Sequence, residues 1–519
     1  MIKNNIDIIL KSNNIFTGIS DKIINGYVAI SGNKIVAVEE GDGYKELLSN
    51  KTNFIDLGEN VISPGFVDTH TFFTGYIIFN IGVDVSKASS IDECIEILKK
   101  YESTLDNNAT IFGHGWNPEA FKSLTAVEKL DEIFINRRVI VFSNNRDTCL
   151  MNTKAIEVYK FTPDECYPEA YWRIMREYLN DRNFIDKQFK DYMQMMNSRG
   201  VTAVKEMGFD DYYGFTDYLE EVEKNNLLSL RISFMSQPVG QGINIPYGLK
   251  MREKFSSDFI RFSGFNRMTD GTVASLKADL LKPYECLENV NCIIDIDYDL
   301  IEKEVLLADE HNFRYSLHAQ GDGAVHKVLN IYEKCKRGQG KCINRHAITD
   351  MEFTHPDDLE RMGKLGIIAE IYPQIMSLDL EDETKEMIEK NVGLERGKYF
   401  WNRRKMLDSG VVVSCGTDLP LMITNIPESI YHACGGYFAD GKDPYNKQNT
   451  MSIVELLKAW TIGGQYNCGF EDKLGTLEVG KLADIAVLNR NIFETPVEEM
   501  KDVEICLTIV DGKIVYNKL

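Results

Sequence analysis

Both ends of this chain read as short strands joined by tight turns, whereas its long middle alternates apolar strand-like runs with helical patterns. That arrangement constrains the fold more than any other feature. Near the start, Ile6-Asp7-Ile8-Ile9-Leu10 and Tyr27-Val28-Ala29-Ile30 precede a Gly32-Asn33 turn and Lys34-Ile35-Val36-Ala37-Val38. Near the end, Ala483-Asp484-Ile485-Ala486-Val487-Leu488 and Ile505-Cys506-Leu507-Thr508-Ile509-Val510 are followed by Asp511-Gly512 and Lys513-Ile514-Val515-Tyr516. Alternation around Gly-Asn and Asp-Gly pairs predicts hairpins. The two ends, residues 1–62 and 470–519, are therefore expected to form one small discontinuous β-sandwich.

Between them the runs Thr110-Ile111-Phe112-Gly113, Val139-Ile140-Val141-Phe142, Thr202-Ala203-Val204, Tyr315-Ser316-Leu317, Ile367-Ile368-Ala369-Glu370-Ile371 and Val411-Val412-Val413-Ser414 alternate with helical segments. One helix opens with a Ser90-x-x-Glu93 capping box. Repeated β-α units predict parallel strands under covering helices over residues 63–469. Pattern alone leaves a closed barrel and an open sheet both available.

At 519 residues the chain suits a large domain plus a smaller one. Its net charge of -21 repels nucleic acid and anionic membranes, so neither is expected as a partner. No apolar run approaches the length of a membrane span. The start lacks a signal-peptide core, and 11 scattered cysteines suit a reducing compartment, so a cytoplasmic location is expected.

In parallel β/α folds the side chains at the C-terminal strand ends face the active site. His70 follows Phe66-Val67, Lys205 follows Val201-Thr202-Ala203-Val204, and His318 follows Tyr315-Ser316-Leu317. Asp350 follows Ala347-Ile348-Thr349, and Asp418 follows the Cys415-Gly416-Thr417 turn.

The stretch Val61-Ile62-Ser63-Pro64-Gly65-Phe66-Val67-Asp68-Thr69-His70 resembles the first barrel strand of the metal-dependent amidohydrolase superfamily. Gly115-Trp116-Asn117-Pro118, Asn144-Asn145-Arg146-Asp147-Thr148-Cys149, Thr269-Asp270-Gly271-Thr272 and His318-Ala319-Gln320-Gly321-Asp322-Gly323 extend the likeness. So does Gly475-Thr476-Leu477-Glu478-Val479-Gly480-Lys481-Leu482-Ala483-Asp484. Their order and spacing are similar to the YtcJ-like branch, which includes the N-substituted formamide deformylases. The resemblance implies an α/β fold: a distorted TIM (β/α)8 barrel with a β-sandwich built from both ends. It implies ligands on strands one, four, five, six and eight.

On that mapping His70 matches the first histidine of a His-x-His pair, and Phe72 replaces the second. Lys205 stands where relatives carry a carboxylated, metal-bridging lysine. His318 matches the strand-five histidine, Asp350 replaces a histidine, and Asp418 matches the aspartate that binds metal and moves protons. Phe72, Trp116, Arg146 and Cys149 are the expected substrate-facing residues.

Ligand count then predicts one divalent ion, zinc first, with manganese, iron or a metal-free site as alternatives. The expected activity is hydrolysis of a non-peptide C–N bond in an amide, formamide or cyclic amide. The expected partner is a small-molecule substrate, with a homodimer left open. The rival is a catalytically silent or repurposed metal-free barrel that binds a small molecule. Lys205 has a second reading of its own, as a buried lysine paired with Glu206 or Asp418.

Overall fold

A computed structural model of the chain describes residues 6–121, 123–144, 148–163, 173–179, 181–210, 214–237, 242–423 and 425–519. The two ends meet through Val61–Pro64, which pairs antiparallel with Ile485–Leu488 and parallel with Ile8–Phe16. The sheet they share is eight-stranded and also holds Ile23–Ser31, Lys34–Glu40, Asn53–Asp56, Ile505–Val510 and Lys513–Asn517. Alternation gives it a buried apolar face that includes Leu10, Val28, Ile62, Val487 and Leu507. Asp511 and Gly512 turn the last hairpin with φ of 51° and 75°, the left-handed pair a two-residue loop requires.

Eight parallel strands form the second large sheet. In chain order they are Phe66–Thr71, Val201–Glu206, Arg231–Ser236, Ile260–Met268, Arg314–Ala319, Ala347–Asp350, Ile368–Ile371 and Val412–Cys415, each paired with the next. The first and eighth meet through a single Thr71–Leu419 bridge. The Thr69 hydroxyl supplements it, donating to the Cys415 carbonyl at 3.0 Å. The arrangement is therefore a nearly closed barrel, distorted where its ends join. Helices such as Tyr298–Glu310, Asp322–Tyr332 and Pro356–Leu365 connect successive strands. Pro356 occupies the first turn of the last of these and Gly366 ends it at φ 68°. Buried Arg231, at the start of the third strand, donates to both oxygens of Asp484 at 2.8 and 2.9 Å, which fastens the barrel to the end-built sheet.

The chain divides into two compact units in a way the strand pattern did not suggest. The larger unit holds residues 1–71, 193–210 and 220–519; the smaller holds residues 72–192 and 211–219. The smaller has its own four-stranded sheet, ordered Cys149–Met151, Val139–Ser143, Ile111–Trp116 and Val83–Asp84. The apolar runs at 110–113 and 139–142 thus belong to this sheet and not to the barrel. Apolar runs of four to six residues carry no mark of which sheet they will join. In the capping box Ser90 accepts from the Glu93 amide at 3.3 Å, but the Glu93 carboxylate turns to the Ser89 amide at 2.8 Å. Among the described residues no helix is long and apolar enough to cross a membrane.

Candidate active site

His70, His318, Asp350 and Asp418 stand at the C-terminal ends of the first, fifth, sixth and eighth barrel strands or just beyond them. They form two pairs. His70 Nε2 lies 3.7 Å from Asp418 Oδ1, and His318 Nε2 lies 2.8 Å from Asp350 Oδ2. Gln320 donates from its amide to the same Asp350 oxygen.

Backbone conformation places the two aspartates. Asp350 and Asp418 have φ of 74° and 49°, a left-handed region that non-glycine residues enter at a cost and that clusters at functional sites. Asp418 is brought beside His70 by the preceding turn. The buried Asp68 carboxylate accepts from the Thr417 amide at 2.9 Å and its hydroxyl at 2.5 Å. Gly416 passes so close to the first strand that a Cβ there would lie 2.6 Å from His70 Cβ. The His318 loop is held from below by Asp270, whose carboxylate accepts the amides of Gln320, Gly321 and Asp279 at 2.9 to 3.0 Å. Burial pushes Asp270 up to about 6, against the pull of His318 and those three amides.

The charges of the two pairs act on one another. Burial raises the Asp418 pKa, His70 and His318 pull it down, and Asp350 adds to the rise. Burial alone would lower the pKa of His318. The bond to Asp350 and the charges of Asp270 and Asp418 outweigh it and hold the imidazole above its ordinary value. Buried atoms in this region without a hydrogen-bond partner include His318 Nδ1, Gln320 Oε1 and Glu370 Oε2. The Tyr372 ring packs edge-on against His70, with centroids 5.3 Å apart. Buried polar groups are normally satisfied, so these atoms mark a place where water, an ion or a ligand can bind.

Lys205 departs from its expected role. Strand order puts it on the second barrel strand, not the fourth, and its ammonium is ion-paired to Glu370 on the seventh. Neither Glu206 nor Asp418 is that partner. Burial lowers the Lys205 pKa against the pull of Glu370. Burial would raise Glu370, but Lys205 and then His70 outweigh it and bring the carboxyl down to about 2. Asn467 completes the network: its Nδ2 donates to Glu370 at 3.0 Å and to Ser414 at 2.9 Å, and its Oδ1 accepts from buried Arg314 at 2.5 Å. As an unmodified ammonium the side chain has no lone pair for a metal; the carbamate that the resemblance implies would ligate through its oxygens. Glu370 was missed as a site residue. Its signal was one acidic residue inside the apolar run at 367–371. Tyr372 carried no signal of its own.

Phe72, Trp116 and Cys149 belong to the smaller unit. Phe72 is half-buried and precedes the helix Phe73–Asn80. Trp116 ends a strand and packs in an apolar core with Leu98, Leu130 and Leu150, so it has a packing role. Cys149 is fully buried on its strand. Arg146 lies outside the described residues.

The donors of the four-residue set suit a borderline divalent cation: two imidazoles and two carboxylates. No three of them lie within 4.8 Å of one another; among the described residues only Asp309, Cys335 and His346 do. That second cluster is occupied by its own hydrogen bonds. His346 Nδ1 accepts the Tyr315 amide at 3.1 Å, and Nε2 lies 3.1 Å from Asp309 Oδ1. The same carboxylate also receives Asn344 at 2.7 Å and the Lys336 amide at 2.8 Å. Burial pushes the Cys335 thiol up, which disfavours the thiolate a metal needs.

A family model described as the amidohydrolase family matches residues 53–516. The chain belongs to the amidohydrolase family. It is similar to the YtcJ protein of Bacillus subtilis, with 23% identity over 93% of this chain and 94% of that one. It is also similar to the N-substituted formamide deformylase of Arthrobacter pascens, with 20% identity over 95% of each chain. Among solved structures, an uncharacterized metal-dependent hydrolase of Pyrococcus horikoshii superposes with a TM-score of 0.75 at 20% identity. It covers 95% of this chain and 99% of that one, which supports the barrel-plus-sheet fold.

Proposed function

We propose that this amidohydrolase hydrolyses a non-peptide C–N bond of an amide, formamide or cyclic amide in the cytoplasm, with one divalent ion, zinc first. The observation that carries the reading is the pairing of His70–Asp418 with His318–Asp350 at one mouth of the barrel, beside a buried, unpartnered His318 Nδ1. His70, His318, Asp350 and Asp418 would hold the ion. When bound, it supplies a Lewis acid and lowers the pKa of water.

The chain's own groups do the rest. Asp418, its pKa raised by burial, takes a proton from water and returns it to the leaving nitrogen. Asp350 holds the His318 ring through Nε2, and Gln320 in turn holds Asp350. The Tyr372 hydroxyl is available to donate to a developing oxyanion. Bond changes balance simply: a C–O bond forms from water, the C–N bond breaks, and a carboxylic acid and an amine leave.

A metal-free barrel that binds a small molecule is the second reading. It is favoured by the separation of the donors into two pairs and by the Lys205–Glu370 pair filling the barrel interior. Elemental analysis of protein purified without chelator, with an amide and formamide panel, separates the readings. About one ion per chain, with both metal and turnover lost in His318→Ala, supports the first. Metal-free, inactive protein supports the second.

A further inference from the structure

His70 stands between two carboxylates. Its Nδ1 lies 3.6 Å from Glu370 Oε2, and its Nε2 lies 3.7 Å from Asp418 Oδ1. Both lengths exceed those of hydrogen bonds, so the contacts act through charge. The residue is 6% exposed, with the Tyr372 ring edge-on against its own. The two carboxylates are held differently. Glu370 is fully buried on the seventh barrel strand, and its Oε1 accepts from both the Lys205 ammonium and the Asn467 amide. That pairing keeps the carboxylate ionised and fixes it, with Oε2 on the His70 side. Asp418 stands past the eighth strand, and its side chain is 26% exposed.

A neutral imidazole carries one proton and one lone pair, and its neighbours decide which nitrogen has which. A lone pair facing a carboxylate is repelled, and an N–H there is attracted. Charges interact more strongly in a buried site than in water. The fixed, fully buried Glu370 therefore has the stronger claim on the proton, which goes to Nδ1. Nε2 then turns its lone pair toward Asp418 Oδ1. Two acceptors facing one another call for a positive charge between them. The competing arrangement is a ring protonated on both nitrogens, which would suit both carboxylates and leave no lone pair for an ion.

We propose that Glu370 is the positioning residue of His70: it holds the imidazole proton on Nδ1 and so commits the Nε2 lone pair to the ion-binding side, facing Asp418. Control runs through the barrel interior. Lys205 and Asn467 orient the carboxylate, and the carboxylate orients the ring. Histidine ligands of metals commonly direct their other N–H at such a group, and its loss typically weakens metal binding about 10- to 100-fold. Only the bound ion rests on the metal-dependent reading of the site; the placement of the proton does not.

The proton is located directly. Metal-free protein with nitrogen-15 histidine is followed by long-range proton–nitrogen correlation at about pH 8.5, roughly two units above the ordinary imidazole value. His70→Gln assigns the resonance. Wild type is expected to carry the proton on Nδ1. In Lys205→Met/Glu370→Leu, where Glu370 is gone and Asp418 remains, the proton should move to Nε2. A proton on Nε2 in wild type, or a ring protonated on both nitrogens, would overturn the proposal. So would a folded double variant that keeps the proton on Nδ1. The wild-type spectrum can break the proposal even if the double variant fails to fold.

Zinc affinity, read by competition with a chelating dye, gives the consequence. It should fall about tenfold or more in the folded double variant. Equal affinity would overturn the positioning role, because the ring would then present Nε2 without help from Glu370. Wild type that binds no zinc would instead defeat the metal-dependent reading. The nitrogen spectrum would still decide what Glu370 does to the ring, so the two failures stay distinct.

Discussion

Two histidine–aspartate pairs bracket the same two barrel strands, and they differ in one respect. Just before the sixth strand, His346 lies 3.1 Å from Asp309; at the C-terminal end of the fifth, His318 lies 2.8 Å from Asp350. His346 uses both ring nitrogens, stacks on Tyr332 with centroids 4.9 Å apart, and is fully buried. His318 has Nδ1 left over and neighbours two further charged groups. Both distances are those of ordinary hydrogen bonds, so distance alone does not separate them. The accounting of hydrogen bonds separates a pair that is finished from one that awaits a ligand. Their positions agree with the division of labour in β/α barrels, with stability at the bottom and chemistry at the top.

The largest expected effect tests the upper pair. His318→Ala should lower kcat/KM on the best amide by about a thousandfold or more, a loss of roughly 4 kcal/mol of transition-state stabilisation, with little change in thermal midpoint. An equal loss of stability would mean that the upper pair is structural too. Asp418→Asn should cost about a hundred- to ten-thousandfold in kcat through loss of the proton carrier, while metal content is retained. Loss of metal together with activity would instead make Asp418 chiefly a ligand.

His346→Ala should do the opposite: about 2–4 kcal/mol of unfolding free energy lost by denaturant titration, with unchanged turnover per folded molecule. Lys205 and Glu370 form a buried ion pair, whose Glu370 Oε2 lies 3.6 Å from His70 Nδ1 without a hydrogen bond. Glu370→Gln, which leaves the buried ammonium uncompensated, should cost about 3–5 kcal/mol, and joint replacement of both by apolar residues should recover much of it. Failure of the double variant to recover would point to a role for the pair beyond packing.

The smallest effect is a pH dependence. Burial would raise the Asp309 pKa, but the His346, Lys336 and Asn344 bonds outweigh it and leave the carboxyl below its ordinary value. A lowered carboxylate pKa contributes stability above the unfolded value, about 3.9, that is lost as pH falls through the folded one. The stability gap between wild type and Asp309→Asn, about 1–2 kcal/mol near neutrality, should therefore narrow only below about pH 4. A gap that widened on acidification would contradict the assignment.

Much of this molecule was legible before folding. Hairpin turns such as Asp511-Gly512 need particular residues locally, so the β-rich ends could be read directly. The positions of His70, His318 and Asp418 at the C-terminal strand ends were legible because each stands at or within a few residues of the end of an apolar run. Other features depend on partners far away in sequence. Lys205 was placed on the wrong strand because runs at 110–113 and 139–142 do not announce that they form a separate sheet. Its partner Glu370 is 165 residues away on a strand that does not pair with its own, and only the curling of the sheet into a barrel brings the two together. Turns, alternation and strand ends are short-range properties, which the sequence itself determines. Which charges are satisfied, and which are left facing a cavity, depends on the surroundings of each group, and those exist only once the chain has closed around them.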